Sequence, residues 1–252
     1  MTDGQFTGKT VLVTGGGTGI GRSTAQAFAQ QGADVLIVGR TAASLAATAA
    51  THPAIRTFVA DVSAPESADA IIEAAAGASG RLDVLVNNAG IVRPRPLGEI
   101  RPAELAEVVA TNLLAPVYLV QAALPHLTGG LVVNVTTAIG QRGWPMPGRE
   151  FYAATKAALD SLTRSWAVQL APRGIRVAAV APGPITATEI TANEGLSAEQ
   201  TRAQHDQLAS YVPLRRLGEP EEVAYWIVQL ARPEAAFATG VVLPVDGGAV
   251  IG

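Results

Sequence analysis

Tyr152 and Lys156 stand four residues apart in Tyr152-Ala153-Ala154-Thr155-Lys156. On a helix that spacing puts a phenol and an ammonium on one face, a turn from each other. A free phenol titrates near pH 10, too high for an efficient base at neutrality, and a fixed positive charge beside it favours the phenolate. The pair therefore has the makings of a general acid/base. Alone, such a spacing more often describes two surface residues, so its surroundings decide.

A second constellation opens the chain. Thr14-Gly15-Gly16-Gly17-Thr18-Gly19-Ile20-Gly21 follows the apolar stretch 10–14 and leads into a helical one. Backbone amides at such a helix start meet an anion at the positive end of the dipole. Glycines there permit the tight turn, let a pyrophosphate approach the backbone and let the helix pack on the strand. Further on, the residue ending the second strand separates two dinucleotides, because an acid there bonds a ribose 2′-hydroxyl and repels a 2′-phosphate. Gly39 holds that place, followed by Arg40 and Thr41. Arg40 offers charge-assisted bonds to a phosphate and Thr41 a further donor, so NADP(H) is the expected cofactor.

These residues need a scaffold. Strand-like runs at 10–14, 35–38, 57–60, 84–87, 131–135, 176–180 and 241–245 alternate with helical stretches at 21–31, 42–50, 65–76, 103–124, 151–170 and 220–231, Gly32 ending the first helix. This is the βαβ rhythm of an α/β fold. It predicts a doubly wound, seven-stranded parallel sheet of Rossmann type, a single domain over residues 1–252, with its ligand crevice at the carboxyl ends of the strands. Residues 186–212 break the rhythm and read either as a substrate lid or as a surface helical insertion.

The glycine spacing is GxxxGxG. It is followed in order by Asn87-Asn88-Ala89-Gly90, Asn134-Val135-Thr136-Thr137, the Tyr152 and Lys156 pair, and Pro182-Gly183. With these motifs the chain resembles the short-chain dehydrogenase/reductase family over almost its whole length. The resemblance implies hydride transfer between nicotinamide and a carbonyl or alcohol carbon, with Tyr152 passing the proton. Lys156 would bind the nicotinamide ribose and lower the Tyr152 pKa. Asn112 would hold a water linking Lys156 to solvent, its alternative being a buried amide at a helix kink. Thr137 would bond the substrate oxygen, replacing the family's usual serine. By the same resemblance Gly15, Thr18, Gly19, Ile20 and Gly21 take the pyrophosphate and Asp61 and Val62 the adenine. Asn88, Ala89 and Gly90 border the cofactor, and Asn87 both contacts it and steadies the sheet. Pro182, Gly183 and Ile185 hold the carboxamide together with Thr188, Thr186 being the other candidate. Trp144, Met146 and Phe151, in or beside the lengthened segment 141–150, either shape the substrate pocket or serve a core or interface.

A formal net charge of -3 gives no basic field to attract nucleic acid or an anionic membrane. No apolar run approaches the length needed to span a bilayer and the first residues lack a basic segment followed by an apolar one, so a cytoplasmic protein is expected. Zero cysteines and three scattered histidines point to no metal site. Residues 216–224 and 245–248 look like the 3-oxoacyl-[acyl-carrier-protein] reductase branch, whose members commonly form tetramers, so a homotetramer is expected. Arg173 matches one of that branch's carrier-docking residues, whereas the short stretch 124–130 lacks the other. A reductase of small-molecule ketones, or dehydrogenase of secondary alcohols, is therefore preferred. The alternatives are the oxoacyl reductase itself and a non-catalytic NADP-sensing protein.

Overall fold

The β-branched runs become strands buried on both faces. Every residue of β1 (Thr10–Thr14), β4 (Val84–Asn87) and β5 (Leu131–Val135) is buried, as a parallel sheet covered by helices requires. In this computed structural model, residues 4–142, 148–186 and 197–251 are described. The remaining strands are β2 (Asp34–Gly39), β3 (Ile55–Val59), β6 (Arg176–Pro182) and β7 (Val242–Val245). They form one seven-stranded sheet in the order β3-β2-β1-β4-β5-β6-β7, parallel throughout. The doubly wound α/β fold is thus the expected one, and its order switches between β1 and β4.

Helices α1 (Gly19–Ala29), α2 (Ala42–Ala49), α3 (Ser67–Ala76), α4 (Pro102–Val109), α5 (Ala115–Ala123), α6 (Glu150–Leu170), α7 (Ala198–Ser210) and α8 (Pro220–Ala231) complete the chain. Alternation along the strands feeds two cores. Val11, Val13, Val35 and Ile37 pack with Phe28 of α1 and Ile227 of α8 on one face. Leu12, Leu36 and Leu85 pack with Ile72 of α3 and Leu119 of α5 on the other.

Three features depart from the sequence reading. Strand β3 begins at Ile55, where it pairs with Val35, rather than at Thr57. The expected helix 103–124 is divided by a π-helical turn, Ala110–Leu114. Asn112 sits in that turn, fully buried, and its amide clamps one backbone residue: Oδ1 accepts from Ile91 N at 2.9 Å and Nδ2 donates to Ile91 O at 2.9 Å. The kink alternative for Asn112 therefore describes a real bond. The same stretch corrects the hydropathy reading, since an 18-residue window within Pro102–Ala123 has a mean hydropathy of 1.4 and the stretch is long and apolar enough to cross a membrane by composition. In this fold it packs on α3 and α6, with Leu119 and Val120 in the core.

The third departure is α7, inside the segment read as lid or insertion. It begins with a capping box: Gln200 N donates to Ser197 Oγ at 3.2 Å and Ser197 N to Gln200 Oε1 at 2.8 Å.

At the switch point one threonine ties the two halves of the sheet together. Thr14 Oγ1 accepts from Asn88 N and Ala89 N, each at 3.0 Å, and Asn88 Nδ2 donates back to Thr14 O at 2.9 Å. Thr14 is 1% exposed, so its removal strands amides where water is scarce. Thr14→Val is expected to lower unfolding stability by about 2 kcal/mol or more, whereas Thr14→Ser keeps most of it. Urea denaturation of both variants checks this; equal stability would show that the crosslink contributes nothing.

Candidate active site

The glycine turn builds the first half of the site. Gly15 and Gly19 have φ of +66° and +50°, a region that L side chains rarely adopt. A Cβ on Gly21 would come within 2.2 Å of Gly15 O. Gly21 thus faces the turn and lets α1 approach it, while Gly15, Thr18, Gly19 and Ile20 face a cavity. Thr18 precedes α1 without making a side-chain cap bond. The amides of the first turn are therefore left for an anion, and this cradle fits a dinucleotide pyrophosphate.

Two adjoining cavities, of about 190 and 370 Å³, share Gly15, Thr18, Ala89 and Gly90 along their border. Arg40, Thr41, Asp61 and Val62 line the larger, together with Ser44, which the sequence reading passed over. Burial acts against ionisation of Asp61, but hydrogen bonds from the Ser63 hydroxyl and amide, with the Arg40 charge, outweigh it and lower its pKa. The positive Arg40 thus shares its end of the groove with a carboxylate.

The smaller cavity holds Thr137, Tyr152, Lys156, Pro182, Gly183 and Ile185. Thr137 follows β5, and its hydroxyl favours ionisation of the Tyr152 phenol; two hydroxyls from different elements thus border one cavity. Lys156 is buried and donates to Val135 O at 2.9 Å. A Cβ on Gly90 would lie 3.4 Å from both Lys156 Nζ and Asn112 Oδ1, so the bare backbone there lets these groups close on one another. Thr155 strengthens the link, accepting from Asn112 Nδ2 at 3.3 Å and donating to Tyr152 O at 2.7 Å.

The electrostatics differ from expectation. Loss of solvent pushes the Tyr152 phenol up to about 12, against the opposing effects of the Thr137 hydrogen bond and the Arg149 charge. Burial pulls the Lys156 ammonium down to about 8, against the pull of Asp160. Lys156 points its ammonium at a strand carbonyl, and Arg149 is the cation that acts on the phenol. The sequence offered one signal for Arg149, its place just ahead of the Tyr152 helix.

Other expected residues fall elsewhere. The Asn87 amide donates to Asn134 Oδ1 at 2.9 Å and Asn87 lines neither cavity; its role here is in the sheet. Thr186 donates to the Glu219 carboxylate, while Thr188, Trp144 and Met146 lie outside the described residues. Phe151 lines a third cavity, together with Arg95 and Tyr152, so it borders the Tyr152 side of the site without entering the smaller cavity. Within the chain, Arg173 does not flank the site mouth: it precedes the amino end of β6 and donates to Leu124 O. Leu208 of α7 reaches the smaller cavity with Ile139 and Ile185, an apolar contribution hidden from the sequence by the polar character of its helix.

A family model described as "Enoyl-(Acyl carrier protein) reductase" matches residues 15–250. The L-rhamnose 1-dehydrogenase (NAD(P)(+)) of Azotobacter vinelandii is 41% identical over 95% of this chain and 96% of its own. A 3-ketoacyl-(acyl-carrier-protein) reductase from Brucella melitensis, solved with NADH, superposes with a TM-score of 0.88 at 32% identity, covering 98% of this chain and 100% of that one. A short chain dehydrogenase from Burkholderia cenocepacia, solved with NADP, gives 0.88 at 33% identity over 97% and 99%. Fold and matches together define an oxidoreductase of Rossmann type. The chain belongs to the short-chain dehydrogenase/reductase family.

The perturbed lysine has a consequence for stability. Its folded pKa of about 8 lies below the ordinary lysine value of 10.5, so between these values the unfolded chain binds more protons and stability rises with pH. The Lys156 contribution should reach about 2 kcal/mol between pH 8 and pH 9.5. Tyr152, raised from 10.0 to about 12, acts oppositely but only above pH 10. Denaturation of wild type and Lys156→Met at both pH values tests this: the variant should lose the rise, and an unchanged slope would contradict the burial of the charge.

Proposed function

We propose that this protein is a single-domain, NADP(H)-dependent oxidoreductase of ketones and secondary alcohols, with Tyr152 as the acid/base. One observation carries the reading: the Tyr152 and Thr137 side chains border one cavity that adjoins the glycine cradle and the groove of Arg40. A carbonyl oxygen placed there accepts from both hydroxyls, which stabilise the charge that develops on it. Nicotinamide, when bound, supplies the hydride for the carbonyl carbon. Tyr152, held protonated by its surroundings, gives its proton to the oxygen, completing the O–H bond of the alcohol. Lys156 binds the nicotinamide ribose and, with a water held near Asn112, returns a proton to the phenolate. In alcohol oxidation the same phenol must first lose its proton, so positive charge near it matters most in that direction.

Arg40 and Thr41 support NADP(H), because no carboxylate ends β2 to repel a 2′-phosphate. Around the smaller cavity Gly15, Thr18, Gly19, Ile20, Asn88, Ala89, Gly90, Pro182, Gly183 and Ile185 are the further cofactor contacts, with Gly21 shaping the turn and Thr188 completing the carboxamide site. Leu208 supports a covering role for residues 186–212. The exposed Tyr225 and Trp226 on α8, Trp226 beside Pro244 and Val245 of the edge strand β7, support a homotetramer. A second reading, reduction of 3-oxoacyl groups on a carrier protein, is favoured by the likeness to the Brucella reductase. The position of Arg173 weakens electrostatic steering of an acidic carrier by this chain alone.

Fluorescence titration with NADPH and NADH, followed by turnover of ketones and oxoacyl thioesters, tests both readings. NADPH is expected to bind more tightly, with ketones turned over faster than thioesters. Arg40→Glu should weaken NADPH about tenfold or more and shift preference toward NADH. A wild type that prefers NADH overturns the cofactor assignment, and faster thioester turnover selects the second reading.

A further inference from the structure

Behind the site lies a buried acid that the proposed reaction leaves unused. Asp160 is 4% exposed and follows Lys156 by four residues on α6, so both side chains leave the same helix face one turn apart. One oxygen of its carboxylate has no hydrogen-bond partner, and Thr136, whose hydroxyl donates to Val180 O, favours the ionised carboxylate from the end of β5. Thr136 is 3% exposed; its backbone N–H donates to Val180 O at 2.8 Å, which fixes the end of β5 against β6. The next residue is Thr137. A buried carboxylate short of partners is costly unless a nearby cation compensates it; burial raises the Asp160 pKa, and the charges of Arg164 and Lys156 oppose that rise. Asp160 is in turn the charged group acting on Lys156, whose ammonium spends one proton on Val135 O.

We propose that Asp160 is a positioning residue that acts through Lys156: its buried carboxylate, one helical turn along α6 and with an unpartnered oxygen, balances the ammonium and keeps it directed at the end of β5. Asp160 touches neither cavity. Its link to turnover rests on the oxidoreductase reading above, but its effect on Lys156 does not. Burial alone drives the ammonium toward the neutral amine, which would donate only a weaker, uncharged bond to a ribose hydroxyl. The acid holds the lysine in the charged form over the neutral range.

The sequence makes this directly measurable, because Lys9 and Lys156 are its only lysines. Lys9 has a half-exposed side chain paired with Asp83 at 3.0 Å, so protein labelled with carbon-13 at lysine Cε gives two signals from two different environments. In wild type the Lys156 signal should titrate near pH 8. Asp160→Asn keeps the shape but removes the charge, and should move that titration down by about one pH unit or more. Thr136→Val should move it the same way by less, since the Thr136 hydroxyl favours the ionised carboxylate, and it carries the test if Asp160→Asn does not fold. The Lys9 signal is the internal reference in both. An unmoved Lys156 titration, with only stability reduced, would overturn the proposal and leave Asp160 a structural residue. The pH above which NADPH affinity declines should shift downward in parallel in Asp160→Asn; absence of NADPH binding by wild type would count against the oxidoreductase reading and leave the lysine titration to decide Asp160.

Discussion

The crosslink between Thr14 and the Asn88-Ala89 backbone holds the place where the sheet changes direction. A doubly wound sheet leaves a crevice at its switch point because the crossovers depart to opposite faces. Buried amides at the edge of that crevice must still find partners. Thr14 provides an acceptor for two of them, and Asn88 returns a bond to its carbonyl. The glycine turn and the backbone at Ala89 and Gly90 are therefore fixed against each other as the common border of both cavities. Further along the sheet, Asn87, Asn134 and Thr163 continue a buried polar chain from β4 through β5 to α6, at 2.9 and 2.8 Å. This chain holds in register the helix that presents Tyr152 and Lys156.

Burial then sets the electrostatics. Packing raises the phenol and lowers the ammonium, in each case favouring the neutral form. The charges that oppose this come from different directions: Arg149 acts on Tyr152 from the start of α6, and Asp160 acts on Lys156 from a turn below. A phenol held protonated is suited to giving up a proton as a carbonyl is reduced. Its use as a base in the reverse direction requires additional positive charge close by, which an oxidised nicotinamide would bring.

Much of the fold was legible because its signals are local. Runs such as Val84 to Asn87 and Leu131 to Val135 read as strands, and as fully buried ones, from β-branched residues bounded by turns. The glycine turn and the Tyr152 pair were legible because fixed spacing on one element decides what faces what. Contacts between distant elements were less so. Nothing local to Thr111-Asn112-Leu113 announces that the Asn112 amide will clamp Ile91 and divide a helix. The direction of the Tyr152 shift depends on where the Lys156 ammonium points, which Val135 on β5 decides. Helix α7 was hidden for another reason: its composition is polar, and only the spacing of Ser197 and Gln200 marked its start.

Proton donation by Tyr152 is the central claim, and a single-turnover comparison of wild type with Tyr152→Phe tests it most directly. NADPH affinity should stay within about twofold, because the phenol oxygen is the only atom removed. The rate of NADPH oxidation with a saturating ketone should fall by about 100-fold to 10,000-fold, the range for losing a positioned general acid. Retained turnover at unchanged affinity would contradict the account and move the proton to another group.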